Sequence, residues 1–104
     1  MTDINFQIGE RIFEWDSDKA KTNKIKHNVS FKLATRVFED ENRIERPDYK
    51  NSDDEDRQQV IGKVDNILFV IYTKRGDITR LISARRATEY ERRLYNGNSD
   101  LYFA

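Results

Sequence analysis

The order of apolar and polar positions along the chain predicts a strand, two helices, a set of antiparallel strands and a final helix. Apolar and charged residues alternate over residues 12–15, which is typical of a first strand. Asp16 follows as a helix N-cap with an acid in the next turn, and this helix is expected to run to His27. Asn28 tolerates the left-handed conformation in which helices often end, so it is expected to stop the helix.

A second helix is expected after Ser30, which can cap it. Its apolar side chains lie at helical spacing and are Phe31, Leu33, Ala34, Val37 and Phe38. Residues 46–56 hold Pro47 and a run of acids, so this segment is predicted to be a surface loop.

The second half of the chain is typical of antiparallel strands. Residues 60–64 and 67–72 flank a tight turn at Asp65 and Asn66, which indicates a hairpin. The continuous apolar run 67–72 is typical of a central strand covered on both faces. After a turn at Gly76, simple alternation over residues 78–84 puts Arg80 on the same face as Ile82 and Ala84.

A capping box of Thr88 and Glu91 predicts a last helix that continues through Tyr95 and ends near Gly97. The tail 98–104 contains apolar residues that are expected to pack on the body or on a partner. This order of elements predicts an α+β fold. The 104 residues are near the usual size of one domain, so a single domain over residues 1–104 is expected.

Composition excludes several classes of protein. The chain has no cysteine and one histidine, which removes disulfides and makes a structural zinc site a poor interpretation. No apolar run approaches the ~18 residues of a membrane span, and residues 1–10 lack the features of a secretory signal. These observations lead us to expect a cytosolic protein without a metal site.

Charge is strongly segregated although the net charge is zero. Residues 19–32 hold five lysines and no acid, residues 39–57 hold nine acids and four bases, and residues 74–93 hold seven bases and three acids. Such a distribution attracts a polyanion to one side of the molecule if the fold gathers the bases together. The alternative is that these residues form ordinary solvated surfaces.

Candidate chemistry lies mainly in the basic side chains. Arg85 and Arg86 follow a strand and precede a helix, where guanidinium groups can hold phosphate, and Arg57, Arg75 and Arg80 belong to neighbouring strands or turns. The alternative is that these arginines pair with nearby glutamates.

The first helix adds further candidates. His27 is suited to proton transfer near neutral pH, or it can simply be a cation at a helix C-terminus, and Lys26 has the same two interpretations. Trp15 can stack a base or belong to the core.

Taken together, these residues resemble the BrnT family of type II toxins, over roughly residues 12–96. The most specific piece is Ile82–Ser83–Ala84–Arg85–Arg86–Ala87 after a strand, with Trp15–Asp16 and Lys26–His27 upstream in this order. Asn28 departs from the glycine usual in the family. The other matching residues are Phe13, Glu14, Lys19, Asn23, Val29, Ser30, Phe31, Ala34, Val37, Phe38, Arg57, Ile61, Gly62, Tyr72, Thr73, Arg75, Arg80, Leu81, Glu91 and Tyr95.

The resemblance implies a RelE-like α+β fold, with two N-terminal helices packed on an antiparallel β-sheet and a C-terminal helix. It also implies metal-independent RNA cleavage that arrests translation, and neutralisation by a DNA-binding antitoxin of the BrnA type. The two proteins are expected to form a heterotetramer that represses its own operon.

By position in the motifs, the expected catalytic residues are Lys26, His27, Arg57, Arg80 and Arg85, and the expected substrate-binding residues are Arg75, Arg86 and Trp15. In this hypothesis Arg80 and Arg85 bind the scissile phosphate, Arg57 assists, and His27 or Lys26 moves protons. Two alternatives stay open: a catalytically inactive toxin-like protein that only binds the antitoxin as a co-repressor, and a small protein-interaction domain.

Overall fold

The computed structural model describes residues 2–49 and 56–97. The helices are α1 (Ser17–His27), α2 (Phe31–Ala34), a 3₁₀ helix (Thr35–Glu39) that continues α2, and α3 (Glu89–Asn96). The strands are β1 (Asp3–Ile8), β2 (Arg11–Asp16), β3 (Ile44–Pro47), β4 (Arg57–Val64), β5 (Asn66–Arg75) and β6 (Ile78–Arg86). The α+β prediction is confirmed.

One six-stranded sheet carries all of these strands in the order β1-β2-β6-β5-β4-β3. Every neighbouring pair is antiparallel except β2 and β6, which are parallel. This pair joins distant parts of the chain, and it is short, running from the Ile12–Ile78 pair to the Glu14–Arg80 pair. The parallel contact therefore sets β6, with its arginines, beside the strand that leads into α1.

Local signals placed the helices and the central hairpins correctly. Asp16 caps α1 by accepting from the Lys19 N–H, and Asn28 ends it in the left-handed region with φ 56°. Both halves of the capping box at Thr88 and Glu91 are present at the start of α3. Asp65, with φ 56°, forms the turn between β4 and β5.

Two edge regions differ from the prediction. The prediction missed β1, although Asp3–Ile8 alternates polar and apolar residues as strands do; the strand is mostly exposed and pairs with β2. The predicted loop over residues 46–56 is wrong at its start, because Arg46 and Pro47 belong to β3 and pair with β4. Proline is tolerated there because β3 is the last strand of the sheet. Residues 50–55 and the tail 98–104 lie outside the described residues.

The two faces of the sheet carry different cores. The helix face packs Phe13, Val60, Val70 and Leu81 against side chains of α2 and the 3₁₀ helix such as Phe31. We call the opposite surface the second face; Ile61, Phe69 and Ile71 form its centre, with Leu94 and Tyr95 of α3 packed against them. Because β5 contributes to both clusters, it is the doubly covered central strand that its apolar run predicted.

A bulge in β6 changes which residues share a face. Ile71 pairs with Ser83 and Tyr72 pairs with Leu81, so Ile82 is the extra residue. Leu81 and Ala84 consequently both pack into the helix-face core, whereas Ile82 packs into the second face. The prediction that Arg80 shares a face with Ala84 is therefore wrong, because the alternation is interrupted between them.

Gly62 lies where β4 passes directly under the 3₁₀ helix. A Cβ atom at this position would stand 2.9 Å from the Val37 Cβ and 3.0 Å from the Val37 carbonyl oxygen. Gly62→Ala is therefore expected to lower the free energy of unfolding by about 1–3 kcal/mol, because the helix must move away from the sheet. Urea unfolding measures this change, with exposed Lys63→Ala as the control; equal midpoints for the two variants would contradict the close approach.

No helix among the described residues is long and apolar enough to cross a membrane.

Candidate active site

Helix α1 is fastened to the part of β6 that β2 leaves unpaired. The side-chain amide of Asn23 is buried and makes both hydrogen bonds that a paired strand would make to Ala84. It donates to the Ala84 carbonyl at 2.8 Å and accepts from the Ala84 N–H at 3.0 Å. The same amide donates to the Val29 carbonyl at 2.9 Å, which fixes the chain after the helix. Asn23 thus determines where the end of α1 lies relative to β6.

Lys26 and His27 share a hollow with β6 as a result. The hollow has a volume of about 310 Å³ and is open to solvent. Lys19, Lys26 and His27 line one side of it, and Ile82 and Ser83 line the other. Both basic residues are exposed in the last turn of the helix, where cations also interact favourably with the helix dipole.

Arg57 and Arg80 lie in one row across the second face of the sheet. Arg57 is the register partner of Thr73, and Thr73 is in turn the partner of Arg80. The row ends at Glu14 of β2, which is the parallel partner of Arg80. Strand pairing therefore places Arg57, Arg80 and Glu14, which are far apart in the sequence, in one line across the sheet.

Arg80 is held by two carboxylates. Its guanidinium donates to Glu14 at 2.7 Å and to Asp3 at 3.1 Å. The hydrogen bond to Glu14, opposed by burial and supported by Asp3, raises the pKa of Arg80 above its ordinary value. Asp3 belongs to β1, which was not predicted, and it lies 77 positions from Arg80, so no local pattern reveals this restraint.

Arg85 lies further along β6 on the same face and is also paired. Two of its nitrogens donate to the two Glu91 oxygens at 2.7 and 2.9 Å, and its guanidinium carbon lies 4.2 Å from the centre of the Phe69 ring. Burial would raise the pKa of Glu91, but the Arg85 guanidinium and the Thr88 N–H outweigh it, so this pKa is lowered. The pair connects β6 to α3.

Of the three other candidates, Arg75 reaches the end of the row at Glu14, and Arg86 and Trp15 lie elsewhere. Arg75 is at the end of β5, with one nitrogen 3.8 Å from Glu14. Arg86 is exposed at the opposite end of β6, near the β4–β5 turn. Trp15 is 6% exposed and packs between Phe6 and Phe31, so it is a core residue with no open ring face for a base.

Several residues near these groups were not among the predicted site residues. Thr22 and Ser83 line the hollow, and Glu14 contacts Arg80. The spacing of Lys19, Thr22 and Lys26 places them on one side of a helix, so that signal was present in the sequence. No local pattern reveals Glu14, because its partner is 66 positions away.

Two tyrosines that are able to donate protons are tied to carboxylates instead. Tyr72 is buried and donates to Glu45, and Tyr95 donates to Asp40. Burial and the Asp40 carboxylate raise the pKa of Tyr95 to about 12, and burial and the Glu45 carboxylate also raise the pKa of Tyr72. Both phenols stay protonated at neutral pH, and their positions indicate roles in joining elements.

Acid is expected to remove the contribution of Glu91 to stability. Its pKa is lowered on folding, so the contribution is present above the unfolded value of about 4.3 and is lost as the pH falls through the folded value. In urea unfolding between about pH 7 and pH 3, Glu91→Gln should therefore lose less stability than the wild type. Exposed Glu89→Gln is the control; a Glu91→Gln profile parallel to the wild type would refute the assignment.

Within residues 2–49 and 56–97, no group of three or more histidine, cysteine, aspartate or glutamate side chains is arranged to hold a metal ion. The ionisable groups that line the hollow are Lys19, Lys26, His27 and one carboxylate, Asp18, and the row holds Arg57, Arg80 and one carboxylate, Glu14.

Comparison with known proteins gives two positive findings. Residues 15–91 match the family model described as the ribonuclease toxin, BrnT, of type II toxin–antitoxin systems. The crystal structure of the Brucella abortus ribonuclease toxin, BrnT, is similar with a TM-score of 0.55 and 26% identity, covering 72% of this chain and 94% of that chain. No curated protein matches the sequence significantly.

Proposed function

The chain belongs to the BrnT family of ribonuclease toxins, and from that premise we propose that it cleaves RNA without a metal ion and so arrests translation in the cytosol. One observation supports this proposal above the others. The matched segment contains α1 and β6, and the packing of these two elements puts Lys26 and His27 in one open hollow with β6, the strand that also carries Arg80 and Arg85.

Metal-free cleavage of RNA needs a base for the 2′-hydroxyl, cations for the phosphorane and an acid for the leaving oxygen. In our proposal Arg80 and Arg85 bind the scissile phosphate, Arg57 assists, and His27 or Lys26 transfers protons. Arg75 contributes to substrate binding from the end of β5.

The ion pairs of Arg80 and Arg85 bear directly on this proposal. A guanidinium has five N–H donors, and Arg80 uses two of its nitrogens on carboxylates. The remaining donors of a guanidinium held by carboxylates are still able to bind phosphate, and the carboxylates fix its orientation. A phosphate group must nevertheless compete with Glu14 for Arg80 and with Glu91 for Arg85. These ion pairs are therefore the strongest argument for the second candidate function, an inactive co-repressor.

The proposal includes a partner. As a type II toxin the chain is expected to bind a BrnA-type antitoxin, in a heterotetramer that represses its own operon. The RelE-like arrangement is part of the same proposal, supported by a mostly antiparallel sheet with α2 and the 3₁₀ helix on one face and α3 on the other.

RNA cleavage by purified protein in excess chelator tests the proposal. Wild type is expected to cut a single-stranded RNA and leave a cyclic phosphate, and His27→Ala to cut it about 10²-fold more slowly, because a proton-transfer group is lost. Lys24→Ala is the matched control, since Lys24 is exposed on the same helix and does not line the hollow. Cleavage that requires an added metal, or equal rates for His27→Ala and Lys24→Ala, would contradict the mechanism.

The second candidate function is an inactive co-repressor that binds the antitoxin. The pairing of both Arg80 and Arg85 with carboxylates favours it, since such arginines serve stability without substrate. It predicts operator binding together with the antitoxin, and neither growth arrest nor RNA cleavage when the chain is expressed alone.

A further inference from the structure

A second basic hollow lies at the end of the sheet where β4 turns into β5. It has a volume of about 270 Å³ and is lined by side chains of β4, β6 and α3 together with the turn. Its three cations are Lys63, Arg86 and Arg92, and the one acid at its edge is Asp65.

These three cations differ from several arginines of the fold, which are paired with carboxylates. Arg80, Arg85 and Arg93 each form an ion pair with a carboxylate. Within the part of the chain that the structure describes, Lys63, Arg86 and Arg92 have no carboxylate oxygen within 4.0 Å, and all three are exposed. Gathering like charges around a concave surface is unfavourable, and a bound anion relieves the repulsion.

The second hollow is close to the first along β6. Arg86 is three residues beyond Ser83, which lines the hollow of His27, and three steps of a strand span about 10 Å. Arg86 follows Arg85 in the strand and points to the opposite face. Because the second hollow lies at the end of the sheet, a flexible polyanion that passes round this end is able to contact both regions.

We propose that Lys63, Arg86 and Arg92 form a subsite that binds a backbone phosphate of single-stranded RNA, away from the bond that is cut. The inference rests on the proposed function, because it assigns the RNA path beyond the reacting phosphate. It also places Arg86 in a hollow with Lys63 and Arg92, an association that the sequence did not indicate. Binding at the subsite is expected to be independent of the base sequence, since phosphate contacts position a nucleic acid without reading its bases.

Adjacent arginines on α3 provide a matched test. Arg92 lines the hollow without a carboxylate partner, whereas Arg93 is exposed and paired with Glu89 at 2.9 Å. Arg92→Gln and Arg93→Gln change the net charge equally. A difference in RNA affinity between the two variants therefore reflects whether the arginine lines the hollow. The probe is a 2′-O-methyl RNA oligonucleotide, which binds and is not cut.

Binding is measured over a range of salt concentrations. Each phosphate contact to single-stranded RNA adds about 0.7 to the slope of log affinity against log salt, so Arg92→Gln should lower the slope by about 0.7. Lys63→Gln and Arg86→Gln should behave in the same way, and Arg93→Gln should keep the wild-type slope. Rates on a dinucleotide substrate, too short to reach the subsite, should be unchanged by Arg92→Gln.

The outcomes separate the subsite from the activity. If wild type cuts RNA but Arg92→Gln and Arg93→Gln have the same salt slope, the subsite is refuted and the proposed function stands. If wild type cuts no RNA but only the three hollow variants lower the slope, the subsite stands and the catalytic proposal fails. Loss of antitoxin affinity in these variants with unchanged RNA binding overturns the proposal in favour of a protein-docking surface.

Discussion

Arg80→Ala is expected to slow RNA cleavage by a factor on the order of 10² to 10³, because it removes a cation that stabilises charge on the phosphate in the transition state. Arg80 combines the features required for this role. It lies in the row with Arg57, on the strand that lines the hollow of His27, and Glu14 fixes its guanidinium. Single-turnover cleavage of a short RNA measures the effect directly.

Structural damage has to be separated from loss of chemistry in this experiment. Arg80→Ala leaves Glu14 without its closest ion-pair partner, so urea unfolding must accompany the rate measurement. Asp3→Asn removes only one competing carboxylate and is expected to leave the rate the same or increase it. Arg93→Ala is the surface control. A fully active Arg80→Ala protein would remove Arg80 from the mechanism and favour the co-repressor.

Asn23→Ala is expected to lower the free energy of unfolding by about 2–4 kcal/mol, the largest stability effect we predict for a polar residue of this chain. The substitution deprives the Ala84 N–H, the Ala84 carbonyl and the Val29 carbonyl of their partner at a buried site. Unpaired buried groups cost more than a hydrogen bond gains, because they have already lost water. Urea unfolding gives the value.

The same substitution is expected to reduce RNA cleavage even where the protein stays folded. Asn23 fastens the helix that carries Lys26 and His27, so its loss lets these side chains move relative to β6. Lys21→Ala is the control on the same helix, and as an exposed change it should stay within about 0.5 kcal/mol of wild type. A variant that keeps both stability and cleavage would show that Asn23 does not position α1.

The sequence by itself determined the elements whose signals are local. The caps at Asp16 and Thr88, the left-handed Asn28 and the apolar run of β5 each depend on neighbouring residues, so helix ends and central strands were predictable. The motif around Arg85, read together with Lys26 and His27, also led to the right family.

Only the tertiary structure decided which side chains meet. The parallel pairing of β2 with β6 set Glu14 against Arg80, and the bulge at Ile82 moved Ala84 to the helix face. Asp3 of β1 met Arg80 from 77 positions away, and Trp15 became a core residue through packing against Phe31. These features depend on contacts between distant positions, and their free energy comes from burial and pairing that no local pattern contains.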